Sequence, residues 1–213
     1  HLANSKQLGN IWPVRRSAAT AANILSILCN IQGPVSTSSG ACASSAQAMG
    51  RALRMIQDGD ADMVITGGCD SMIGDFSVTG FHRLRALSKN NDDPAKASRP
   101  FDLKRDGFVL GEGSAVLILE DLEHARKRGA TILAELAGYG SSSNAASLTA
   151  PPEDGQGADL CLKAALADGN CSPDEVDYIN AHGTSTYLND KSETAAIKNV
   201  FGERAYDIPV SSN

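Results

Sequence analysis

Residues 35–45 read VSTSSGACASS, a short extended run followed by small residues that lead directly into a helix. The helix, which extends to Asp58, is predicted by apolar residues that recur on one face, namely Ala48, Met49, Ala52, Leu53 and Ile56. Cys42 lies in the turn before this helix, where small neighbours let a side chain project from a sharp strand-to-helix junction. A helix N-terminus also favours the thiolate form of such a thiol. Cys42 is therefore a candidate nucleophile, and the alternative is a thiol buried in an alanine-rich helix start.

Helices and strands alternate on both sides of this stretch. The predicted helices are 18–29, 122–128, 158–167 and about 191–201, and the predicted strands are 61–68, 114–119, 132–139 and 176–180. The first of these strands is expected to run into a turn at Gly67-Gly68, and segments 87–107 and 138–157 are predicted loops. The alternation predicts an α/β fold with at least a partly parallel sheet. A helix, an acidic turn, a strand and a glycine occur twice, ending at 64–68 and 178–183, which indicates a duplicated αβ unit.

A second candidate for chemistry is His182, which follows the predicted strand 176–180 and precedes the hydroxyl-rich residues 183–186. Ligands and catalytic groups collect at the carboxyl ends of strands in α/β sheets. An imidazole placed there can act as a base or donate a hydrogen bond to developing negative charge. The alternative interpretation is a structural histidine.

Two further polar patterns have simpler interpretations. Asp190 and Glu193 are three residues apart at a predicted helix start, which indicates a capping pair, with a second role open for Glu193. The glycine-rich segment 105–113 is not followed by Lys and Ser or Thr, so we reject a phosphate-binding loop. No spacing of cysteine and histidine predicts a metal site.

Composition excludes several classes of protein. The 213 residues are 42% hydrophobic and 21% charged, which is unlike a disordered chain. Nineteen Lys and Arg against 25 Asp and Glu give a net charge of −6, which argues against a nucleic-acid partner. Five cysteines without paired spacing predict neither disulfides nor zinc, and favour a reduced, cytoplasmic chain. The most apolar stretch, 18–31, is interrupted by polar residues, so no membrane span is predicted.

Taken together, several ordered segments resemble the elongating β-ketoacyl-[acyl-carrier-protein] synthases, the condensing enzymes of fatty-acid and polyketide synthesis. They run almost from end to end of the chain in that family's order and comprise Gly33-Pro34 to Ser45, Gly59 to Gly68, Arg85 to Ser88, Ser98 to Asp102, Arg105 to Gly113 and Asn180 to Thr186. The resemblance implies a thiolase-like, layered αβαβα fold, present here in part. Residues 1–120 would belong to the first half of that fold and carry the nucleophile. Residues 121–213 would begin the second half and carry the first catalytic histidine.

The resemblance also implies a role for each matching side chain. Cys42 would accept an acyl chain from acyl carrier protein as a thioester, and His182 would assist decarboxylation of the malonyl group. For substrate binding, Thr184 and Thr186 match residues that bind the phosphopantetheine arm, Phe108 matches a residue lining the malonyl pocket, and Thr149 falls near the carrier or its arm. Arg85 would dock the acidic carrier protein and Glu193 would support the site. No cofactor of its own is implied, because the phosphopantetheine arrives on the carrier; a homodimer is implied.

Three departures from the family's pattern affect what is expected. Tyr187 stands where the family usually has proline, and Asn144 stands where many relatives carry aspartate in a gating loop. The family continues past Asn213 into a lysine, a second catalytic histidine and a glycine-rich loop. The chain is therefore expected to be an internal part of a larger enzyme and to be inactive in elongation alone. Glu193 matches the acid that pairs with that lysine, and is expected to have no partner here.

Three alternatives to a fatty-acid enzyme stay open at this point. The first is the ketosynthase domain of a polyketide synthase, and the second is a non-catalytic module that binds acyl groups or the carrier protein. A degradative thiolase is the third, and it is disfavoured because its nucleophile context and its acid–base cysteine are not evident.

Overall fold

The computed structural model describes Val14 and residues 17–212, so that His1 and Asn213 lie outside the described residues. Contacts divide the chain into two compact units. Unit 1 contains the residues up to Gly68 together with Val116–Leu119, and unit 2 contains Cys69–Ala115 and Glu120–Asn213. The division of the chain into two thiolase-like halves at residue 120 stays a prediction, because these units are defined by contacts and not by repeated halves.

Unit 1 places an amphipathic helix behind the turn that carries Cys42. Helix α1 spans Thr20–Leu28, a 3-10 turn spans Ala41–Ala43, and helix α2 follows directly over Ser44–Gln57. As predicted, α2 buries one face, which includes Ala52 and Leu53.

The strand that follows α2 is longer than predicted. Strand β1 covers Met63–Ser71 and hydrogen-bonds to β2, Glu112–Glu120, in a two-stranded sheet. The expected turn at Gly67-Gly68 is therefore wrong, since β1 continues through both glycines. A Cβ on Gly68 would overlap the side chain of Ser45, so glycine is needed there for the start of α2 to approach β1.

Unit 2 contains four helices of α type among the residues described. They are α3 (Asp75–Arg83), α4 (Leu122–Lys127), α5 (Ala158–Asp168) and α6 (Tyr187–Phe201). The sequence analysis missed α3 entirely, because Gly74 and Gly80 interrupt its pattern. It also started α6 too late, at about residue 191.

A small parallel sheet in unit 2 leads to the histidine loop. Strands β3 (Ile179–Asn180) and β4 (Val210–Ser211) pair in parallel, with Ile179 opposite Val210. The parallel component of the sheet is thus confirmed, although β3 is shorter than the predicted strand 176–180.

An apolar core supports this sheet. Ile197 and Phe201 of α6 pack with Ile208, and the side chains around them are Leu162, Leu166, Val176, Ile179, Val200 and Ala205. Full burial of a large apolar side chain contributes about 1.5–3 kcal/mol. Strand β3 and the carboxyl-terminal part of α6 are therefore fixed to one core.

The predicted strand 132–139 is wrong. These residues form no strand ladder, and a strand exists only where its backbone hydrogen-bonds to a neighbour. The end of this segment lies instead against α5, where the Tyr139 N–H donates to Asp168 Oδ2 over 2.8 Å. A Cβ on Gly138 would be 2.5 Å from the Gly169 nitrogen, so backbone packing replaces strand pairing.

Within the described part of the chain, no helix combines the length and the apolar character that crossing a membrane requires. Among those same residues, His, Cys, Asp and Glu side chains do not gather in groups of three or more that could hold a metal ion.

A carboxylate at the end of β2 makes stability depend on pH. Both oxygens of Glu120 accept hydrogen bonds from Arg128, from Nε and Nη2 over 2.6 Å each, and His124 Nδ1 lies 2.5 Å away. The Arg128 guanidinium is the main reason that the pKa of Glu120 falls from 4.5 to about 2.

Replacing Glu120 by glutamine should flatten the acid dependence of unfolding. The pKa of Glu120 is lower in the folded chain, so its contribution is present above about pH 4.5 and is lost as the pH falls through about 2. Urea unfolding measured across this window should show a shallower slope for Glu120→Gln than for the unsubstituted chain. Glu123→Gln, on the exposed face of α4, serves as the control, and equal slopes for both variants would contradict the expectation.

Candidate functional site

Cys42 is held at the surface by a strained turn. Ala41, just before it, has a φ of 51°, which non-glycine residues rarely adopt and which costs on the order of 1–2 kcal/mol. Ser44 stabilises the turn, because its Oγ accepts from the Gly40 N–H over 2.9 Å and donates to the Ala41 carbonyl over 2.7 Å. Cys42 is exposed, which favours the nucleophile over the buried thiol. Its catalytic role stays a prediction.

The other cysteines differ in their surroundings. Cys161 of α5 donates from Sγ to the Gly140 carbonyl over 3.2 Å, and burial raises the pKa of its thiol. Such a thiol is a poor nucleophile. Cys29 and Cys69 are exposed and Cys171 is half-buried, and all five cysteines are free thiols.

His182 is exposed on the loop that joins β3 to α6, and the backbone of that loop is fixed at both ends. On the β4 side, the Ala181 N–H donates to the Ser211 carbonyl over 2.7 Å. On the α6 side, the carboxylate of Glu193 accepts from the His182 N–H over 2.6 Å and from the Gly183 N–H over 2.8 Å. The exposed imidazole of His182 is therefore attached to a backbone that hydrogen bonds fix on both sides.

The capping interpretation of Asp190 and Glu193 is wrong. Helix α6 begins at Tyr187, and its N-cap is Thr186, whose Oγ1 accepts from the Asn189 N–H over 3.3 Å. The expectation that Glu193 has no partner is also wrong, because Glu193 binds two backbone amides and lies 3.3 Å from Asn189 Nδ2. A carboxylate can accept more hydrogen bonds than the one that an N-cap residue accepts from the helix backbone. The donors that Glu193 meets are the backbone N–H groups of the preceding loop, His182 and Gly183.

Replacing Glu193 by glutamine should lower the free energy of unfolding by roughly 1.5–3 kcal/mol, the range for hydrogen bonds to a charged group. The amide keeps one acceptor, but its NH₂ group would face one of the two backbone N–H groups. Urea unfolding monitored by circular dichroism measures the loss. Glu203→Gln, at an exposed position past the end of α6, is the control, and an equal effect of both changes would disprove the role of Glu193.

The two threonines expected to bind the pantetheine arm contact each other. Thr184 Oγ1 and Thr186 Oγ1 are 2.9 Å apart, and both side chains are half-buried. Ser185 between them is fully buried, and its Oγ accepts from the Arg99 N–H over 3.0 Å. The Ser185 carbonyl accepts from the Gly107 N–H over 2.9 Å. Residues 99–108 are thus bound to the threonine loop.

These contacts bring Phe108 into the same part of unit 2 as the threonines. Phe108 is half-buried and packs edge-to-face on Phe81, with ring centroids 5.4 Å apart. Its N–H donates to the carbonyl of Ala86, the neighbour of the exposed Arg85. Phe108, Thr184 and Thr186 therefore lie on connected segments, and the Arg85 backbone adjoins them.

Thr149 is held differently from these residues. It is exposed in the segment 138–157, and its N–H lies 3.4 Å from Ser147 Oγ in the same loop. This contact of Thr149 stays within its own loop and does not reach the Thr184 and Thr186 pair, so its role rests on the resemblance.

An ion pair beneath the loop was missed by the sequence analysis. Asp190 is only 2% exposed, and its Oδ2 accepts from the Phe101 N–H over 2.8 Å and lies 3.3 Å from Arg105 Nε. Arg105 also donates to the carbonyls of Thr186 (3.1 Å) and Tyr187 (3.0 Å). One signal could have found the pair: Asp190 shares the helical face of Ile197, and a charge on an apolar face requires a buried partner.

Two family models match the chain. The model described as "Beta-ketoacyl synthase, N-terminal domain" matches residues 2–125, and the model described as "Beta-ketoacyl synthase, C-terminal domain" matches residues 133–213. Among curated relatives, the mitochondrial 3-oxoacyl-[acyl-carrier-protein] synthase of Arabidopsis thaliana is 52% identical over 186 residues, which are 87% of this chain and 40% of that protein. The tetracenomycin polyketide synthase ketoacyl synthase alpha subunit of Streptomyces glaucescens is 49% identical over 85% of this chain and 42% of its own length.

Solved structures give the same result for the fold. A beta-ketoacyl synthase from Burkholderia phymatum superposes with a TM-score of 0.83 at 39% identity, covering 91% of this chain and 46% of that one. A type II PKS acyl-carrier protein in complex with its ketosynthase gives a TM-score of 0.89 at 42% identity, covering 91% and 48%. The expected thiolase-like α/β fold is therefore confirmed, and the chain spans less than half the length of these relatives.

Proposed function

The chain belongs to the beta-ketoacyl synthase family, and on that premise we propose that it carries the nucleophile and a catalytic histidine of a decarboxylating condensing enzyme. The observation that carries the proposal is the exposed thiol of Cys42 on a strained turn at the start of α2. A strained, over-determined backbone at a reactive side chain is typical of catalytic sites. The elongation of fatty acids is the proposed pathway, because several relatives are named 3-oxoacyl-[acyl-carrier-protein] synthases.

The first proposed step is acyl transfer to Cys42. Its thiolate attacks the carbonyl carbon of an acyl thioester on the carrier protein, and a new thioester bond forms at Sγ. The pantetheine sulfur leaves with the electron pair of the broken bond and takes up a proton. Nucleophilic catalysis of this kind splits one difficult transfer into two easier ones.

The second proposed step is decarboxylative condensation. Malonyl thioester on a second carrier loses carbon dioxide, and the electron pair of the broken carbon–carbon bond attacks the acyl carbonyl. The Cys42 thiolate is the leaving group and is regenerated. His182 would donate a hydrogen bond to the malonyl thioester oxygen, where negative charge develops during decarboxylation.

The remaining residues are proposed to bind and orient the substrates. Thr184 and Thr186 offer two hydroxyls on a rigid loop to the amides of the phosphopantetheine arm, and Phe108 offers an apolar wall to the malonyl group. Arg85 is proposed to meet the acidic carrier protein, and Thr149 its arm. A local cation suits an acidic partner despite the net charge of −6. The phosphopantetheine is proposed to arrive on the carrier, with no resident cofactor.

A homodimer and a cytoplasmic location complete the proposal. Both rest on the resemblance, and the five free thiols agree with a reducing compartment. One relative is named as a mitochondrial protein, and the mitochondrial interior is also a reducing compartment.

Carbon dioxide release from malonyl carrier protein tests the function. The full-length enzyme that is expected to contain this chain is mixed with acyl and malonyl carrier proteins, and we expect acyl-dependent release of carbon dioxide together with a 3-oxoacyl carrier product. Binding of the acyl carrier without release would instead support a non-catalytic module. Turnover of coenzyme A thioesters in preference to carrier thioesters would favour a thiolase.

A polyketide ketosynthase is the second candidate, because the Streptomyces glaucescens relative is a polyketide synthase subunit and is 49% identical. Product analysis separates the two: reduced carrier-bound chains accepted as primers indicate fatty-acid elongation, and unreduced poly-3-oxo chains indicate polyketide synthesis.

A further inference from the structure

Tyr187 is the first residue of α6, and two cations lie over its ring. The Arg105 guanidinium carbon is 5.3 Å from the ring centroid, and Lys191 Nζ is 6.0 Å from it. A cation over an aromatic face is attracted by the ring quadrupole, and the attraction is larger where water is excluded. The Arg105 side chain is only 12% exposed, whereas Tyr187 is 62% exposed, so the contact is partly open to water.

Each of the two cations holds a different loop. Arg105 donates to the carbonyls of Thr186 and Tyr187 and thereby binds segment 99–108 to the threonine loop. Lys191 forms an ion pair with Glu153, with Nζ 2.5 Å from Oε2, and thereby binds α6 to the loop that follows Thr149. One aromatic ring thus contacts both cations that hold the loops flanking the start of α6.

We propose that Tyr187 is a positioning residue: its ring holds Arg105 and Lys191 in place and through them sets the loops that carry the proposed substrate-binding residues Phe108 and Thr149. The inference rests on the proposed function for its effect on substrate. The proline that the family usually has at this position offers no ring face.

The same proline supplies a test that leaves the helix intact. Proline is well tolerated at the first position of a helix. Thr186 has φ −92° and ψ 150°, the extended conformation that a residue before proline prefers. Tyr187→Pro therefore removes the ring and keeps the backbone carbonyl that Arg105 binds. Tyr187→Phe keeps the ring face and removes only the hydroxyl, and it is the matched control.

In the full-length enzyme that is expected to contain this chain, the KM for malonyl carrier protein should rise about three- to tenfold in Tyr187→Pro, the range for one or two exposed cation–ring contacts, with kcat within about twofold. Tyr187→Phe should keep both constants within about twofold. An unchanged KM in Tyr187→Pro, or an equal rise in Tyr187→Phe, would overturn the proposal.

A second readout does not depend on catalysis. Hydrogen exchange at the amides of Arg99 and Gly107, which donate to Ser185, should be faster in Tyr187→Pro and unchanged in Tyr187→Phe, with equal melting temperatures. If the unsubstituted full-length enzyme released no carbon dioxide, the proposed function would be wrong, and hydrogen exchange alone would decide the positioning role of Tyr187. Equal exchange in all three proteins would then disprove it.

Discussion

In the full-length enzyme that is expected to contain this chain, Cys42→Ala should eliminate the covalent acyl-enzyme and reduce condensation by about a thousandfold or more, the usual result of removing a nucleophile. The Cys42 thiol is exposed on a strained turn that the hydrogen bonds of Ser44 stabilise. Alanine can adopt the same turn, so the substitution removes the sulfur alone. The measurement is transfer of a radiolabelled acyl group from carrier protein, followed by mass spectrometry of the peptide that contains residue 42.

Cys161→Ala is the matched control for this experiment. Burial raises the pKa of the Cys161 thiol, and its Sγ is bound to the Gly140 carbonyl, so this change should leave acylation at its original level. Label retained by Cys42→Ala, or lost from Cys161→Ala, would remove Cys42 from the role of nucleophile.

Asp190→Ala should lower the free energy of unfolding by roughly 3–5 kcal/mol, because it leaves the largely buried Arg105 without its carboxylate. The Phe101 N–H loses its acceptor in the same change. Urea unfolding monitored by circular dichroism measures the loss. The free energy of unfolding of Asp190→Asn should lie between those of Asp190→Ala and the unsubstituted protein, since the amide oxygen can still accept a hydrogen bond from the Phe101 N–H.

The control for Asp190 is an exposed ion pair on α4. Glu123 and Arg126 have side chains that are 78% and 62% exposed, and such pairs contribute at most about 1 kcal/mol. Glu123→Ala should therefore change the free energy of unfolding by less than about 1 kcal/mol. A cost for Asp190→Ala no larger than this would show that the Asp190–Arg105 pair does not anchor the loop.

The sequence predicted those features that depend on neighbours along the chain. The turn at Cys42, the apolar face of α2 and the position of His182 after a strand all follow from residues within about ten positions of each other. The partners of Arg105 in the threonine loop and at the start of α6 lie more than 80 positions away, so no local pattern could reveal them. The strand predicted at 132–139 failed for the same reason, because a strand is defined by a distant partner and not by its own residues.

Tyr187 illustrates a different limit. The resemblance identified it as a departure from the family, and local pattern placed it before the helix and not within it. Only the structure shows that its ring contacts two cations. A departure from the family's usual residue is therefore worth testing for a new contact before it is treated as neutral.

The two hydrogen bonds that Glu193 accepts from the His182 and Gly183 N–H groups also determine where an oxyanion can be stabilised. Two successive N–H groups at a loop could form an oxyanion hole, but an N–H that already donates to a carboxylate is not available to a thioester oxygen. The carboxylate also places a negative charge behind the loop, which repels an enolate approaching from that side. In the proposed decarboxylation, the developing charge would thereby be directed to the imidazole side chain of His182 and away from the backbone amides of the loop.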